Sequence, residues 1–371
     1  MFIKKIIFDA RHISNEFSGL GRYSINLLEG LLAHIDEVSS LIVLVESSID
    51  ESNSLYRKLK SLSSAHQAIE IDLVPIKVFS MKHYFGMRKY LKKYPEHEYF
   101  YPHFDLPFGI INRTQFVIHD LFPLIVKGYI VRQALLKKVI FYGLCLHSLL
   151  GKRVKCVAIS ESTNKDIRKY FPFVSHNKIR TVHSSSCLAI EDNSDISVAE
   201  VPPYLFYIGD RRPHKNLKKM IDIFKVLKDR HAYRGKFLIA GSTKNFDLEL
   251  ENYISDKPYI ELIGIVSDKE LNSYYRGMES LFFLSKYEGF GLPILEAASF
   301  NKKIITSNIS SLPEVTPDTG LLLEPTLEVE VLAEDISMYL ASNKTIDNSS
   351  FISSFSWSKT AKGIFSDSKG A

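Results

Sequence analysis

Short apolar, β-branched runs recur along the chain, separated by longer stretches with helical spacing of apolar positions. Lys5–Asp9 (KIIFD) predicts a first buried strand, Ser18–Gly21 a turn, and Tyr23–Leu32 a helix. Leu41–Val45, Ile71–Pro75, Phe116–Ile118 and Cys156–Ile159 predict further strands. Such strands alternating with helices argue for a parallel sheet with crossover helices. Glu191–Pro203 is acidic, carries serines and ends in two prolines, which predicts a linker.

Beyond that segment the rhythm restarts. Tyr204–Ile208, Phe237–Ala240, Ile260–Ile263, Ser280–Leu284 and Lys303–Ser307 predict strands. Helices are predicted over Asn216–Lys228, Asp268–Arg276 and Pro293–Phe300, the second opened by a Ser267/Glu270 capping box. The fold class is therefore α/β, in two halves over residues 1–198 and 199–350, with a terminal segment 351–371 expected to pack back on the first. Ligands of such sheets lie beyond the carboxyl ends of the strands. The expected site is a cleft between the halves.

A length of 371 residues agrees with more than one domain. At 45% apolar and 24% charged residues, disorder and fibrous classes are excluded. Cys145, Cys156 and Cys187 show no metal-like spacing and are expected as free thiols in a reducing cytoplasm. Met1–Ala10 carries Lys4, Lys5 and Asp9, so it reads as a strand and not as a signal peptide. The longest uncharged run, Val139–Leu150, is too short to span a bilayer.

The net charge of +5 is too mild to imply a nucleic-acid partner. Its distribution is more informative. Residues 1–200 hold 26 Lys+Arg against 20 Asp+Glu, while residues 201–371 hold 21 against 22. Seven basic residues and no acid lie between Asp120 and Glu161, and six with no acid span Lys77–Lys93. The surplus is either a solvated face or a binding surface. Met81–Tyr94 interleaves lysines and arginine with Tyr84, Phe85, Tyr90 and Tyr94. As a helix it suits an anionic lipid surface, or it packs its aromatics inward.

The richest segment for chemistry is Tyr287–Ala297 (YEGFGLPILEA). Glu288 stands at the carboxyl end of a predicted strand, Gly289 and Gly291 allow a tight turn, and Pro293 suits the first turn of a helix. Backbone N–H groups from Phe290, Gly291 and Leu292 then stand at a helix N-terminus, where an anion binds. Glu296, a turn into the helix, is placed to accept hydrogen bonds from vicinal hydroxyls. Arg211, Arg212 and Lys215 follow another strand and precede a helix, which suits neutralising a diphosphate. No Asp-x-Asp flanked by apolar strand and no Cys/His cluster appears, so no metal or other cofactor is expected.

The string Glu288-Gly-Phe-Gly-Leu-Pro-Ile-Leu-Glu296 resembles the two-glutamate signature of the family 4 retaining glycosyltransferases, which have two Rossmann-like domains facing each other across a cleft (GT-B). The resemblance extends through Ser18-Gly-Leu-Gly-Arg-Tyr23, Ile118-His-Asp-Leu121, Ala158-Ile-Ser-Glu-Ser162, Tyr207-Ile-Gly-Asp-Arg-Arg-Pro-His-Lys-Asn216 and Ile239-Ala-Gly241. It implies that Glu288 contacts hydroxyls of a donor sugar and Glu296 the nucleotide's ribose. Gly19, Gly21, Gly241, Phe290, Gly291 and Leu292 would line the donor, and His119 would touch its sugar. Family members commonly carry arginine directly after the glycine, where this chain has Asp210, so Arg211 or Arg212 takes that part beside Lys215.

The reaction implied moves a hexose from a nucleotide diphosphate sugar, GDP-mannose or a UDP-sugar, to a saccharide acceptor. The variants resemble bacterial O-antigen mannosyltransferases, so a lipid-linked acceptor, lipopolysaccharide synthesis and peripheral contact with the inner face of the cytoplasmic membrane are expected. His103, Phe104 and Asp105 are candidates for acceptor contact. An epimerase or phosphorylase of the same shape, or a non-catalytic sugar-binding module, are the alternatives.

Overall fold

The structure, a computed structural model, describes residues 4–15, 18–126, 134–188, 190, 202–241, 247–343 and 345–366. It forms two compact units, Met1–Cys187 with Phe355–Ala371, and Leu188–Ser354. The divisions fall at 187/188 and 354/355, against 198/199 and 350/351 expected from composition. Most of the predicted linker, residues 191–201, lies outside the described residues.

Unit 1 opens with β1 (Lys4–Asp9), α1 (Gly19–Leu32), β2 (Val38–Glu46), α2 (Ser54–Ala65), β3 (Ile69–Val74) and α3 (Met81–Leu91). It continues with β4 (Glu98–Tyr101), β5 (Thr114–Ile118), α4 (Phe122–Ile125), α5 (Ala134–Leu150), β6 (Val154–Ala158), α6 (Glu161–Tyr170) and β7 (Ile179–Thr181). The seven strands run in the order β3-β2-β1-β4-β5-β6-β7, all parallel. Central strands covered on both faces need unbroken apolar runs, and Ile6, Ile7 and Phe8 of β1 are all buried.

Unit 2 repeats the plan with β8 (Tyr204–Ile208), α7 (Leu217–Arg230), β9 (Lys236–Ala240), α8 (Asp247–Ile254), β10 (Ile260–Gly264) and α9 (Asp268–Gly277). Then come β11 (Ser280–Phe283), α10 (Leu292–Ser299), β12 (Lys303–Ser307), β13 (Leu321–Leu323), α11 (Val329–Ala341) and α12 (Ser349–Ile352). Its parallel order is β10-β9-β8-β11-β12-β13. In each sheet the order reverses beside the unit's first strand, between β1 and β4 and between β8 and β11. Loops leaving those two strands diverge to opposite faces, and the gap they open is where ligands of this fold sit.

The last helix, α13 (Trp357–Phe365), belongs to unit 1 and packs on α1. Close approach there needs a glycine: a Cβ on Gly30 would stand 2.2 Å from the Trp357 carbonyl oxygen. Tyr23 of α1 meets the Trp357 ring edge-on, with centroids 5.3 Å apart.

The structure corrects one expectation, decides another and adds elements that were not expected. Ser18–Gly21 is not a free turn: Ser18 caps α1, its hydroxyl accepting from the Gly21 N–H, and Gly19–Gly21 is the first helical turn. The Met81–Tyr94 helix stops at Leu91 and turns most of its aromatics inward. Tyr84 donates to Asp105 and Tyr94 to Asp72, leaving Phe85 as the outward ring. Strands β4, β7 and β13 went unpredicted because four, three and three residues are too few for a periodicity to register. The Ser267/Glu270 capping box is present in full.

Candidate active site

In unit 2 the loops that leave β8 and β11 meet. Pro213–Lys215 forms one tight turn, and Asn216 takes a left-handed backbone (φ 62°) that redirects the chain into α7. The Asn216 side-chain amide donates to the Leu284 carbonyl at 3.1 Å, and the Lys286 N–H donates to the His214 carbonyl at 2.7 Å. These two bonds tie the loops together. The result is an ion pair between residues from separate motifs: Lys215 Nζ lies 2.6 Å from Glu288 Oε1. The same ammonium stands 5.4 Å from the Phe283 ring centroid, within cation–π range.

Glu288 is set by its backbone. Its N–H donates to Ser310 Oγ at 3.0 Å, while the Ser311 hydroxyl bonds the carbonyls of Glu288 and Phe290 at 3.0 and 2.9 Å. Neither serine stood out in the sequence, although a polar cluster just past a strand's carboxyl end is a usable signal. Phe290 is buried, so its side chain is closed to a ligand. Gly291 has φ 108° and caps α10, and a Cβ there would stand 2.9 Å from Leu312. Leu292 begins the helix, with its first-turn N–H groups following.

Glu296 accepts a 2.6 Å hydrogen bond from Tyr275, a fully buried residue of α9 that the sequence did not single out. One carboxylate oxygen is thus held while the side chain stays partly exposed. Gly241 has φ 123° and a packing reason of its own: a Cβ would stand 1.9 Å from the Gly209 carbonyl oxygen. It lets the end of β9 press against the end of β8.

The two arginines differ. Arg212 is half-buried and held by Asp210, with Nε and Nη2 at 2.8 and 2.5 Å from Oδ2. Burial pushes the Asp210 carboxyl up, but Arg212 and Lys215 outweigh it and the net shift is downward. Arg211 is buried, and both arginines line a cavity of about 350 Å³ with Asn216, Lys218, Glu249 and Lys286. His214 beside them is pushed down to about 3 by burial and by Lys215, so it is neutral at ordinary pH.

Unit 1 has its own convergence at the carboxyl ends of β1 and β4. Asp9 accepts from Arg11 Nη2 and from the Tyr99 hydroxyl, both at 2.6 Å, and Arg11 also donates to the Ile76 carbonyl. Burial pushes the Asp9 carboxyl up; Arg11 and Tyr99 overcome it, so Asp9 stays ionised and Arg11 is held charged. His83 accepts from Arg11 Nη2 at 3.2 Å and donates to the Asp105 carbonyl. Asp105 collects Tyr84, Tyr101 and His103 on its carboxylate, the last at 2.5 Å. His12 joins through its Nε2, 3.3 Å from the Tyr101 hydroxyl, and His103 is the partly exposed end of this network; Asp9, Arg11, His12 and His83 were missed. An Asp and an Arg two residues apart at the end of a buried strand were the available signal.

His119 follows β5, and its Nε2–H donates to the Pro102 carbonyl at 2.8 Å. Nδ1 is thereby left as an acceptor. Burial pushes the imidazole down to about 4, so it is neutral. Gly21 packs where a Cβ would stand 2.9 Å from the Asn15 carbonyl oxygen, whereas Gly19 has open space around it. Among the described residues, no group of three or more His, Cys, Asp or Glu is arranged to hold a metal.

Residues 190–350, nearly the whole of unit 2, match the family model described as glycosyl transferases group 1. The O-antigen chain mannosyltransferase B of Escherichia coli is 27% identical over 340 residues, 86% of this chain and 87% of that protein. The O-antigen chain mannosyltransferase RfbU of Salmonella typhimurium is 26% identical over 58% of each chain. Among solved structures, WaaG, a glycosyltransferase involved in lipopolysaccharide biosynthesis, superposes with a TM-score of 0.68 over 95% of this chain and 97% of its own at 14% identity. Residues 190–350 thus carry a glycosyl transferases group 1 domain, the chain has the GT-B fold of WaaG, and over most of its length it resembles the O-antigen mannosyltransferases.

Proposed function

We propose that the chain moves a mannosyl residue from a nucleotide diphosphate sugar, GDP-mannose in the first instance, to a saccharide acceptor with retention at the anomeric carbon. The observation that carries this reading is the Lys215–Glu288 pair, 2.6 Å apart at the reversal of strand order in unit 2. A fixed ammonium there neutralises the charge that grows on a departing diphosphate, and a fixed charge needs no reorganisation as the bond breaks. Arg211 is the second cation, since Arg212 is committed to Asp210. Glu288, oriented by Lys215, accepts hydrogen bonds from sugar hydroxyls. Glu296, with one oxygen held by Tyr275, takes the ribose hydroxyls.

Transfer is a front-face substitution. The acceptor oxygen bonds to the anomeric carbon on the face from which the diphosphate leaves, and the acceptor proton passes to the leaving phosphate oxygen. No enzyme carboxylate is consumed, in contrast to retaining glycosidases. Neutral His119 offers Nδ1 to a donor-sugar hydroxyl, and His103, held by Asp105, hydrogen-bonds the acceptor. No metal or organic cofactor enters these steps.

The acceptor in this reading is lipid-linked, met at the cytoplasmic membrane surface. Exposed Leu135, Leu136, Val139 and Ile140 on α5, beside Lys137 and Lys138, support it, because apolar and cationic side chains on one helix suit an anionic bilayer. No helix among the described residues is long and apolar enough to cross a membrane. The test is transfer from GDP-mannose and UDP-glucose to a lipid-linked saccharide. Glu288→Ala should abolish transfer with the circular dichroism spectrum unchanged; transfer retained in that variant overturns the assignment. Donor binding without release of nucleoside diphosphate would make the chain a binding module.

A further inference from the structure

The basic block between Asp120 and Glu161 divides in the structure. Lys137 and Lys138 lie on α5, but Lys152, Arg153 and Lys155 enter β6 and line a cavity of about 600 Å³. This cavity is at the amino ends of β4 to β7, the end of the sheet opposite His103 and His119. Arg113 reaches it from the start of β5, Lys178 and Arg180 from β7 and its approach, and Lys4 from β1. Among the described residues that line the cavity, seven are cationic and one, Glu98, is a carboxylate.

The floor is built. Gln115 is buried; its Nε2 donates to Glu98 Oε1 at 2.7 Å, and its Oε1 accepts from the Arg180 guanidinium. Arg180 also donates to the Ile364 carbonyl, and Lys178 Nζ to that of Gly151 at 2.8 Å. The carboxylate is therefore engaged by an amide, and the guanidinium is oriented. Among the described residues, Arg113, Lys152, Arg153 and Lys155 have no carboxylate within ion-pair distance.

We propose that this cavity is an anion site for a small ligand bearing two or more phosphate groups, separate from the nucleotide-binding residues of unit 2. Like charges gathered in a concave, partly desolvated space repel one another until an anion enters. Guanidinium and ammonium donors match phosphate oxygens by charge-assisted hydrogen bonds. Four neighbouring strands about 4.8 Å apart place the outer cations roughly 14 Å from each other, more than one phosphate spans. The concave shape favours a small polyanion over a bilayer, which presents phosphates in a plane.

The test is calorimetric titration of the full chain with inorganic pyrophosphate and tripolyphosphate at about 50 mM salt, where screening is weak. Wild type is compared with Lys152→Ser/Arg153→Ser/Lys155→Ser, and with Arg113→Ser as a single change on a different strand. The triple variant should bind roughly tenfold more weakly or worse, as expected when several charge-assisted contacts go, and Arg113→Ser should show a smaller loss in the same direction. Affinity for nucleoside diphosphate, common to all three proteins, should be unchanged. Equal pyrophosphate affinity across the three overturns the proposal. So does a triple variant that keeps pyrophosphate binding and loses only flotation with phosphatidylglycerol vesicles, since the cations then serve a lipid surface.

Discussion

Each unit places an ion pair where its strand order reverses, and the two pairs are built for opposite purposes. In unit 1, Asp9 and Arg11 lie two residues apart with both side chains fully buried. Every polar atom of Asp9 is matched, and the pair anchors Tyr99 and His83. In unit 2, Lys215 and Glu288 lie 73 residues apart, with side chains 11% and 14% exposed, and a single hydrogen bond joins them. Glu288 keeps an oxygen, and Lys215 keeps N–H groups, for a ligand. A saturated pair serves the fold; an unsaturated one at the same topological place is free to serve chemistry.

The largest effect should come from breaking the saturated pair. Arg11→Met leaves Asp9 charged in a dry site, which should cost about 3–5 kcal/mol, read as a lower urea midpoint. Lys215→Met should lower that midpoint by less, because Glu288 keeps partial access to water where Asp9 has none. Equal losses from the two would erase the distinction. Activity should rank the other way. Lys215→Ala should lower the transfer rate by about 10²–10³-fold, as removal of a fixed charge-stabilising donor does; a loss under tenfold would place the diphosphate elsewhere.

A smaller effect should follow Tyr275→Phe, which removes the hydroxyl that holds Glu296 and leaves the ring. Nucleoside diphosphate affinity should fall by roughly fivefold, the equivalent of about 1 kcal/mol for one hydrogen bond, measured by thermal shift against nucleotide concentration. The smallest concerns pH. His12 in unit 1 and His214 in unit 2 are each pushed down to about 3, chiefly by burial. Unfolding lets them bind protons near pH 6.5, so stability should fall as pH drops from 6.5 towards 3, by at most about 1.4 kcal/mol per pH unit for each. Melting temperature against pH for His12→Gln and His214→Gln checks this: each variant should flatten the acid slope.

Much of this was legible in the order of residues. Ten of the thirteen strands lie on predicted runs, because parallel strands buried on both faces must be continuously apolar. The Glu288–Glu296 segment was also readable, since its chemistry depends on local geometry: a glycine at φ 108°, a proline in the next turn and a carboxylate a turn further on. Ser310, Ser311 and Tyr275 were not readable. They act through hydrogen bonds to residues at least 21 positions away, and no local spacing marks such partners. The Met81–Tyr94 helix shows a related limit. Its composition allowed a lipid-facing or an inward aromatic face, and the positions of Asp72 and Asp105 decided it.

By itself the sequence determined the fold class, the two-unit plan and which residue types stand at the carboxyl ends of the strands, because periodicity, turns and caps are set by near neighbours. Only the tertiary structure decided which of those residues meet. Strand order brought Lys215 to Glu288, buried Arg11 against Asp9, and drew Lys152, Arg153 and Lys155 to one cavity while leaving Lys137 and Lys138 on a helix. Charge counted along a chain gives a surplus; the path of the backbone decides whether that surplus is spread in water or concentrated around a ligand.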